Sequence, residues 1–365
     1  MTALTINAPG LLGPWAAEHG AYVCQGLQAP ALRLILARGR GSLQLVNETA
    51  DVTHARVLAD ALGIDDHDAM AAACMTALAD GMDPRPGSAW IRCDPVHLLA
   101  EPHGAQLTIG SLLRLGLDEA QTLADSLNEE LDVPWKIRVG TAERWYIELD
   151  TLPDIRTSPP FAVLGPAVEP ALPRGDKARV WRRWLTEVQM TLFAHSLNEQ
   201  REQNRLPPIN SLWLWGQGQF RVASRSCNAT ALFAHSYADH GFASGLGMWS
   251  GAQVSECSAT DTLADVLRSC DATSHAVVDY PLFLRLAHAG LVEDWREAIT
   301  AFEHNWFAPA VEALRQGELS QLKLVHGYDA ERTISLSLRA SRWDLARFWR
   351  RPAPLERYVT LAAHS

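Results

Sequence analysis

Hydrophobic and polar positions along this chain follow two rhythms, and the switches between them outline its candidate elements. Short apolar runs bounded by turn formers predict strands at residues 32–36, 89–92, 107–109 and 211–215. Residues 135–139 and 144–149 read as a β pair joined across Gly140. Residues 276–279 and 322–326 complete the predicted strands, and an apolar stretch at 4–12 opens the chain. A helical period governs residues 177–203, where Trp181, Trp184, Leu185, Val188 and Leu192 fall on one stripe before Pro207-Pro208. Residues 228–240 and 282–314 also read as helical, the second with a break at Pro309.

Strands alternating with helices in the final third predict βαβ units and a largely parallel sheet. Turn formers crowd residues 80–87 (DGMDPRPG), and six prolines between Pro153 and Pro173 exclude a helix there. The expected organisation is an α/β core of residues 1–84 and 176–365. It carries a smaller β-containing insertion with a proline-rich linker at 85–175.

Composition narrows the function classes. The 365 residues are 47% hydrophobic and 20% charged, enough to bury a core. A net charge of −10 opposes a general nucleic-acid footprint. Arginine clusters at 174–183 and 339–357 read as solvated helix faces. The apolar run at 31–37 is far too short to span a bilayer, and no basic residue precedes Arg33. Six cysteines without a C-x-x-C spacing read as reduced thiols. The expectation is a cytoplasmic protein without membrane or nucleic-acid partners.

Three places carry candidate chemistry. The apolar strand 211–215 runs into Gly216-Gln217-Gly218, and in an open parallel sheet ligands bind beyond the carboxyl ends of strands. Glycines there would let backbone N–H groups approach an anion, although the third glycine of a dinucleotide fingerprint is missing. Cys93, Asp94, His97 and His103 could supply four zinc ligands, although Pro95 and Pro102 suggest a polar turn. No G-x-S-x-G elbow supports a serine hydrolase.

The segment Asn210-Ser211-Leu212-Trp213-Leu214-Trp215-Gly216-Gln217-Gly218, preceded by Pro207-Pro208, resembles a tryptophan-rich motif of archaeal-type cofactor-independent phosphoglycerate mutases, members of the alkaline phosphatase superfamily. Residues 243–248 (ASGLGM) are similar to their following glycine-rich segment. Residues 9–14 (PGLLGP), 94–98 (DPVHL) and 348–352 (FWRRP) resemble a proteobacterial regulatory protein family of the RpfE type. The resemblance implies an alkaline-phosphatase-like three-layer core with a largely parallel sheet.

It also implies two divalent metals held by Asp and His, beside a Ser or Thr nucleophile. Two close metals clamp the attacking and leaving oxygens of phosphoryl transfer. Pro9-Gly10 stands where the family has Asp-Gly. Leu284 stands at the aspartate of its D-x-x-x-H-x-G motif, with His288 kept. Val325 stands at the aspartate of its D-H-G motif, with His326 kept. Proline, leucine and valine cannot ligate a metal.

The resemblance therefore implies a catalytically degenerate protein with a regulatory or binding role, no intact catalytic residues and no cofactor. Its ligand-binding candidates are Asn210, Trp215, Gly216, Gln217, Gly218, His288 and His326. The partner would be another protein or a phosphorylated metabolite. The alternative is an active metal-dependent mutase or phosphatase in which Asp279, His288 and His326 hold manganese or zinc.

Overall fold

Two β-sheets organise the chain. The computed structural model describes residues 2–13, 15, 19–46, 58–59, 62, 64, 71–101, 104–160, 172–222, 231–235, 241–258, 261–270, 274–288, 290–328 and 333–364. Two compact units emerge, one from Met1–His67 with Arg225–Ser365, the other from Asp68–Ser224. In chain order the strands are β1 (Thr2–Asn7), β2 (Arg40–Val46), β3 (Ala89–Glu101), β4 (Gly104–Thr108), β5 (Ile137–Val139) and β6 (Trp145–Leu149). They continue as β7 (Ser211–Gln219), β8 (Ala231–His235), β9 (Gln253–Cys257), β10 (His275–Asp279), β11 (Leu319–Tyr328) and β12 (Thr333–Ala340).

The first unit holds a seven-stranded sheet in the order β2-β12-β11-β1-β10-β8-β9. Strands β11, β1, β10, β8 and β9 are parallel neighbours, and β12 and β2 close one side antiparallel. This is an α/β fold with a mostly parallel sheet. Leu4, Ile6, Ala276, Val278, Leu322 and Leu324 alternate along three of these strands and face one core.

Two elements of this unit differ from the sequence reading. Residues 32–36 are not a strand but lie in the helix Pro30–Arg38. Pro30 takes the first turn, where its missing N–H costs nothing, and Ala31, Leu32, Ile35 and Leu36 form the buried stripe. The Glu303 carboxylate accepts the N–H groups of Ala31 at 2.6 Å and Leu32 at 3.0 Å, which have no partner within the helix. Residues 231–235 are not helical but form β8, paired with β10 and β9. A place between two parallel strands outweighs the local helical preference. The remaining residues of the predicted helix 228–240 lie outside the described residues.

The predicted helix 282–314 is three helices joined by a π-turn: Leu282–His288, Val292–Phe302 and Ala308–Gln316, with Glu303–Phe307 between the last two. Pro309 opens the third rather than breaking one, and the interruption falls at Gly290, whose φ is +68°.

The second unit carries a five-stranded sheet in which β3 pairs antiparallel with β4, β6 and β7, and β5 pairs with β6. Its limits, 68 and 224, lie outside the expected 85–175, because β7 and the helices before it build on β3 rather than on the parallel sheet. The stripe at 177–203 forms two helices, Ala178–Phe193 and Ser196–Gln203. The break falls at His195, whose ring accepts the Leu197 N–H at 3.1 Å. Trp181 and Trp184 pack with Trp135, stacked on Trp181 at 4.8 Å. Among the described residues no helix is long and apolar enough to cross a membrane.

Candidate functional site

The tryptophan-rich strand does not end in a glycine loop at the edge of a parallel sheet. β7 runs antiparallel to β3, and Gly216-Gln217-Gly218 lies within it. The register steps from Trp90↔Gly218 to Arg92↔Trp215, so Gly216 and Gln217 face the single residue Ile91. Such a bulge places one residue at positive φ, and Gly216 has φ +67°. Gly218 serves close packing, since a Cβ there would lie 2.2 Å from the Ala71 Cβ.

The other candidates in this segment are committed to the protein's own structure. The Asn210 amide adds a rung beyond the end of β7, donating to the Leu98 carbonyl and accepting its N–H, both at 2.8 Å. Trp215 Nε1 donates to Asp94 Oδ2 at 2.6 Å, and the Arg92 guanidinium lies 4.4 Å over its ring. Gln217 donates to the Ile155 carbonyl at 2.8 Å and accepts from the Thr157 hydroxyl at 2.5 Å. Trp213 Nε1 donates to the Ser158 carbonyl at 2.8 Å. The segment thus clasps the stretch 155–158. The side-chain amide of Gln217 is thus engaged within the protein, while Gly216 and Gln217 fall outside the strand pairing at the bulge.

The zinc candidates separate in the same way. Cys93 is buried in the apolar core of the second unit, where burial pushes its thiol well above the usual range. Asp94 accepts Arg92 Nε at 3.1 Å and Nη2 at 2.7 Å. The His97 ring bonds the Pro208 carbonyl at 2.9 Å. His103 lies outside the described residues. Pro95 does not make a turn: β3 carries it opposite Leu212. Val96 and Leu98 direct backbone groups toward the β7 side, so Pro95 faces the other edge, between the end of β6 pairing at Arg92 and the start of β4 pairing at His97. Among the described residues no group of three or more His, Cys, Asp or Glu could hold a metal ion.

The remaining candidates gather at the carboxyl edge of the parallel sheet, where β1, β10 and β11 end side by side. Asn7 stands in register with Asp279 on one neighbour and Val325 on the other. Its amide donates to Asp279 Oδ1 at 2.7 Å, and Asp279 is wholly buried. Beyond β1 the chain stays pinned: the Ala8 N–H donates to the Val325 carbonyl and the Tyr280 N–H to the Asn7 carbonyl, both at 2.8 Å. It then turns through Pro9 and Gly10 (φ +76°) onto the helix Leu282–His288. A Cβ on Gly10 would lie 2.3 Å from the Leu284 nitrogen, so the two backbones touch. Trp295 Nε1 closes the turn by donating to the Gly10 carbonyl at 3.1 Å.

Pro9, Leu284 and Val325, the positions that the resemblance singled out, therefore lie at one edge, and the Gly10 main chain rests on that of Leu284. Strand alternation turns His326 away from the face shared by Asn7, Asp279 and Val325. His326 is wholly buried and neither ring nitrogen makes a hydrogen bond of good geometry. Burial pushes its pKa down to about 4, and the Ala8 backbone only partly opposes this, so the ring is neutral at neutral pH. His288 ends its helix, and its side chain lies outside the described residues. The described residues of this edge do not supply the donor set of a two-metal centre, and Asp279 and His326 point to opposite faces rather than to one ion.

Sequence reasoning missed Asn7, which a single polar residue closing an apolar strand could have signalled. It also missed a buried cluster in the second unit. There Asp80 accepts Arg144 Nε at 2.9 Å, Arg144 Nη2 at 2.5 Å and the Tyr146 hydroxyl at 2.6 Å. Thiol chemistry finds little support among the described cysteines: burial pushes Cys24 up to about 11 and Cys74 up to about 12, leaving both protonated.

Comparison with known proteins adds ancestry. No protein-family model matches the chain. It is 27% identical over 218 residues to a 2,3-bisphosphoglycerate-independent phosphoglycerate mutase of Methanothrix thermoacetophila, covering 57% of this chain and 55% of that protein. It is 34% identical over 103 residues to 2,3-bisphosphoglycerate-independent phosphoglycerate mutase 2 of Methanothermobacter thermautotrophicus, covering 27% of this chain and 26% of that protein. The chain thus spans about half the length, or less, of the curated relatives it matches. Among solved structures, the PH0037 protein of Pyrococcus horikoshii superposes with a TM-score of 0.57 at 13% identity, over 92% of this chain and 86% of that one. The chain is homologous to archaeal cofactor-independent phosphoglycerate mutases.

Proposed function

We propose that this chain is a catalytically degenerate relative of the phosphoglycerate mutases that acts by binding, in a regulatory role like that of the RpfE-type family. The reading is carried by the carboxyl edge of the parallel sheet. By the resemblance, Pro9, Leu284 and Val325 correspond to three ligating carboxylates, and the Gly10 backbone rests directly on Leu284. Two-metal phosphoryl transfer needs carboxylates to offset the metal charge, and an open position for the reacting oxygens. A strand end closed by main chain and by a buried neutral histidine favours neither.

Metal analysis after dialysis against manganese or zinc is expected to find no stoichiometric ion, and 3-phosphoglycerate is expected to remain unconverted. Two bound ions together with mutase turnover would overturn the reading. For the binding role, a screen of phosphorylated metabolites by thermal shift has a defined signal, because a ligand that binds only the folded state raises its melting temperature. A shift would assign a metabolite; a flat response to all of them would favour a protein partner.

A further inference from the structure

The arginine cluster at 339–357 is not the solvated helix face that its sequence suggests. Only Arg342–Leu345 is helical, and the chain then turns through Ala346–Pro354 before the last helix begins at Leu355. Three large aromatic side chains stand on this turn almost free of the protein: Trp343 is 69% exposed, Phe348 76% and Trp349 66%. The Phe348 and Trp349 rings meet edge to face at 5.4 Å, and the Arg342 guanidinium lies 4.5 Å over the Trp343 ring.

Around them residues 339–357 carry six arginines against Asp344 and Glu356, a local excess of four positive charges in a chain of net −10. Asp344 is itself turned inward, capping its helix through Ser341 and pairing with Arg40 and Arg347.

The main chain beneath the patch is tied to the first unit. Leu345 and Leu355 anchor it in the core of the first unit. Arg33 Nε donates to the Ala353 carbonyl at 2.7 Å, Arg38 Nε to the Arg350 carbonyl at 3.3 Å, and Arg38 Nη1 to the Leu345 carbonyl. Arg350 reaches back to the Gly39 carbonyl at 3.4 Å. Aromatic and arginine side chains dominate the energetics of protein interfaces, and a tied-down main chain lowers the cost of ordering them on binding.

We propose that this surface docks an acidic segment of a protein partner, its carboxylates meeting the arginines and its apolar residues packing on Trp343, Phe348 and Trp349. Charge decides between the polyanions that such a patch could take. The rest of the chain carries about fourteen excess negative charges, a balance that opposes a general footprint for nucleic acid or an anionic bilayer. A short acidic segment meets only the patch, because screening limits such forces to roughly 10 Å at physiological salt. The proposal rests on the reading of this protein as one that acts by binding.

The test uses the full chain and a fluorescein-labelled peptide of repeated Glu-Glu-Leu, followed by anisotropy at low and high salt. Saturable binding that weakens with salt is expected. It should fall about tenfold or more in the triple variant Trp343→Ala/Phe348→Ala/Trp349→Ala and in Arg342→Glu/Arg351→Glu. All five positions are exposed, and an unchanged melting temperature would confirm that the variants fold. Equal binding by the variants, or no binding of the peptide, would overturn the proposal. So would a preference of this patch for phosphatidylglycerol vesicles or for a single-stranded oligothymidine. Mutase turnover alongside patch-dependent peptide binding would sink the degenerate reading and leave the docking surface standing; the opposite pair of results would do the reverse.

Discussion

Asp94 and His326 are both buried polar groups beside β-strands, and the protein treats them in opposite ways. Asp94 receives four donors: Arg92 twice, Trp215 Nε1 at 2.6 Å and the Trp145 N–H at 3.4 Å. His326 receives none of good geometry on either nitrogen. The first belongs to a network that fixes how β3, β6 and β7 pair. The second lies near the end of β11, wholly buried. A satisfied network specifies structure, whereas a buried ring without partners contributes packing and resists protonation.

The largest expected effect lies on the Asp94 side. Asp94→Ala leaves the Arg92 guanidinium buried without its carboxylate, and breaking such a pair costs about 3–5 kcal/mol. Denaturant unfolding should show the loss, and hydrogen exchange should place it in β3 and β7. A change below about 1 kcal/mol would mean that the pair is solvated and that the contrast drawn here is too sharp.

On the His326 side the effect appears only with pH. The folded pKa near 4 lies below the unfolded value of 6.5, so above pH 6.5 the group leaves stability untouched. As pH falls from 6.5 toward 4 the unfolded state takes up a proton that the folded state refuses. Stability should drop by about 3 kcal/mol in total, at roughly 1.4 kcal/mol per pH unit. His326→Leu should flatten that part of the curve. A variant with an unchanged acid limb would show that the ring is not neutral and buried in the folded protein.

The smallest effect tests the clasp of the tryptophan-rich strand on 155–158. Thr157→Val removes the bond to Gln217 and should cost about 1 kcal/mol, seen as faster exchange confined to that stretch. If the whole second unit loosened instead, the clasp would belong to its core rather than its margin.

Much of the α/β character was legible from periodicity. The runs at 276–279 and 322–326 are strands β10 and β11, whose burial on both faces leaves largely apolar segments. The stripe from Trp181 to Leu192 is a helix, because burial on one face imposes its period on the sequence. The run at 32–36 misled because a short apolar segment has no period of its own. Only Pro30 and the distant Glu303 carboxylate make it a helix. The candidate site was half legible. Pro9, Leu284 and Val325 could be singled out by resemblance, but the contact between the Gly10 and Leu284 backbones spans more than 270 residues of chain and leaves no local trace.

By itself the sequence determined the class of fold and a resemblance to the phosphoglycerate mutases, since each depends on which side chains are present and in what order. Tertiary structure alone decided what those residues do. It placed Gly216 in an antiparallel bulge against Ala72, and Gly218 in the ladder beside it against Ala71, rather than in a loop at the edge of the parallel sheet. It turned Asp279 and His326 to opposite faces of one sheet, and left Trp343, Phe348 and Trp349 outside. The reason is physical: strand partner, register and exposure are set by contacts between residues far apart in the chain, and no local pattern encodes them.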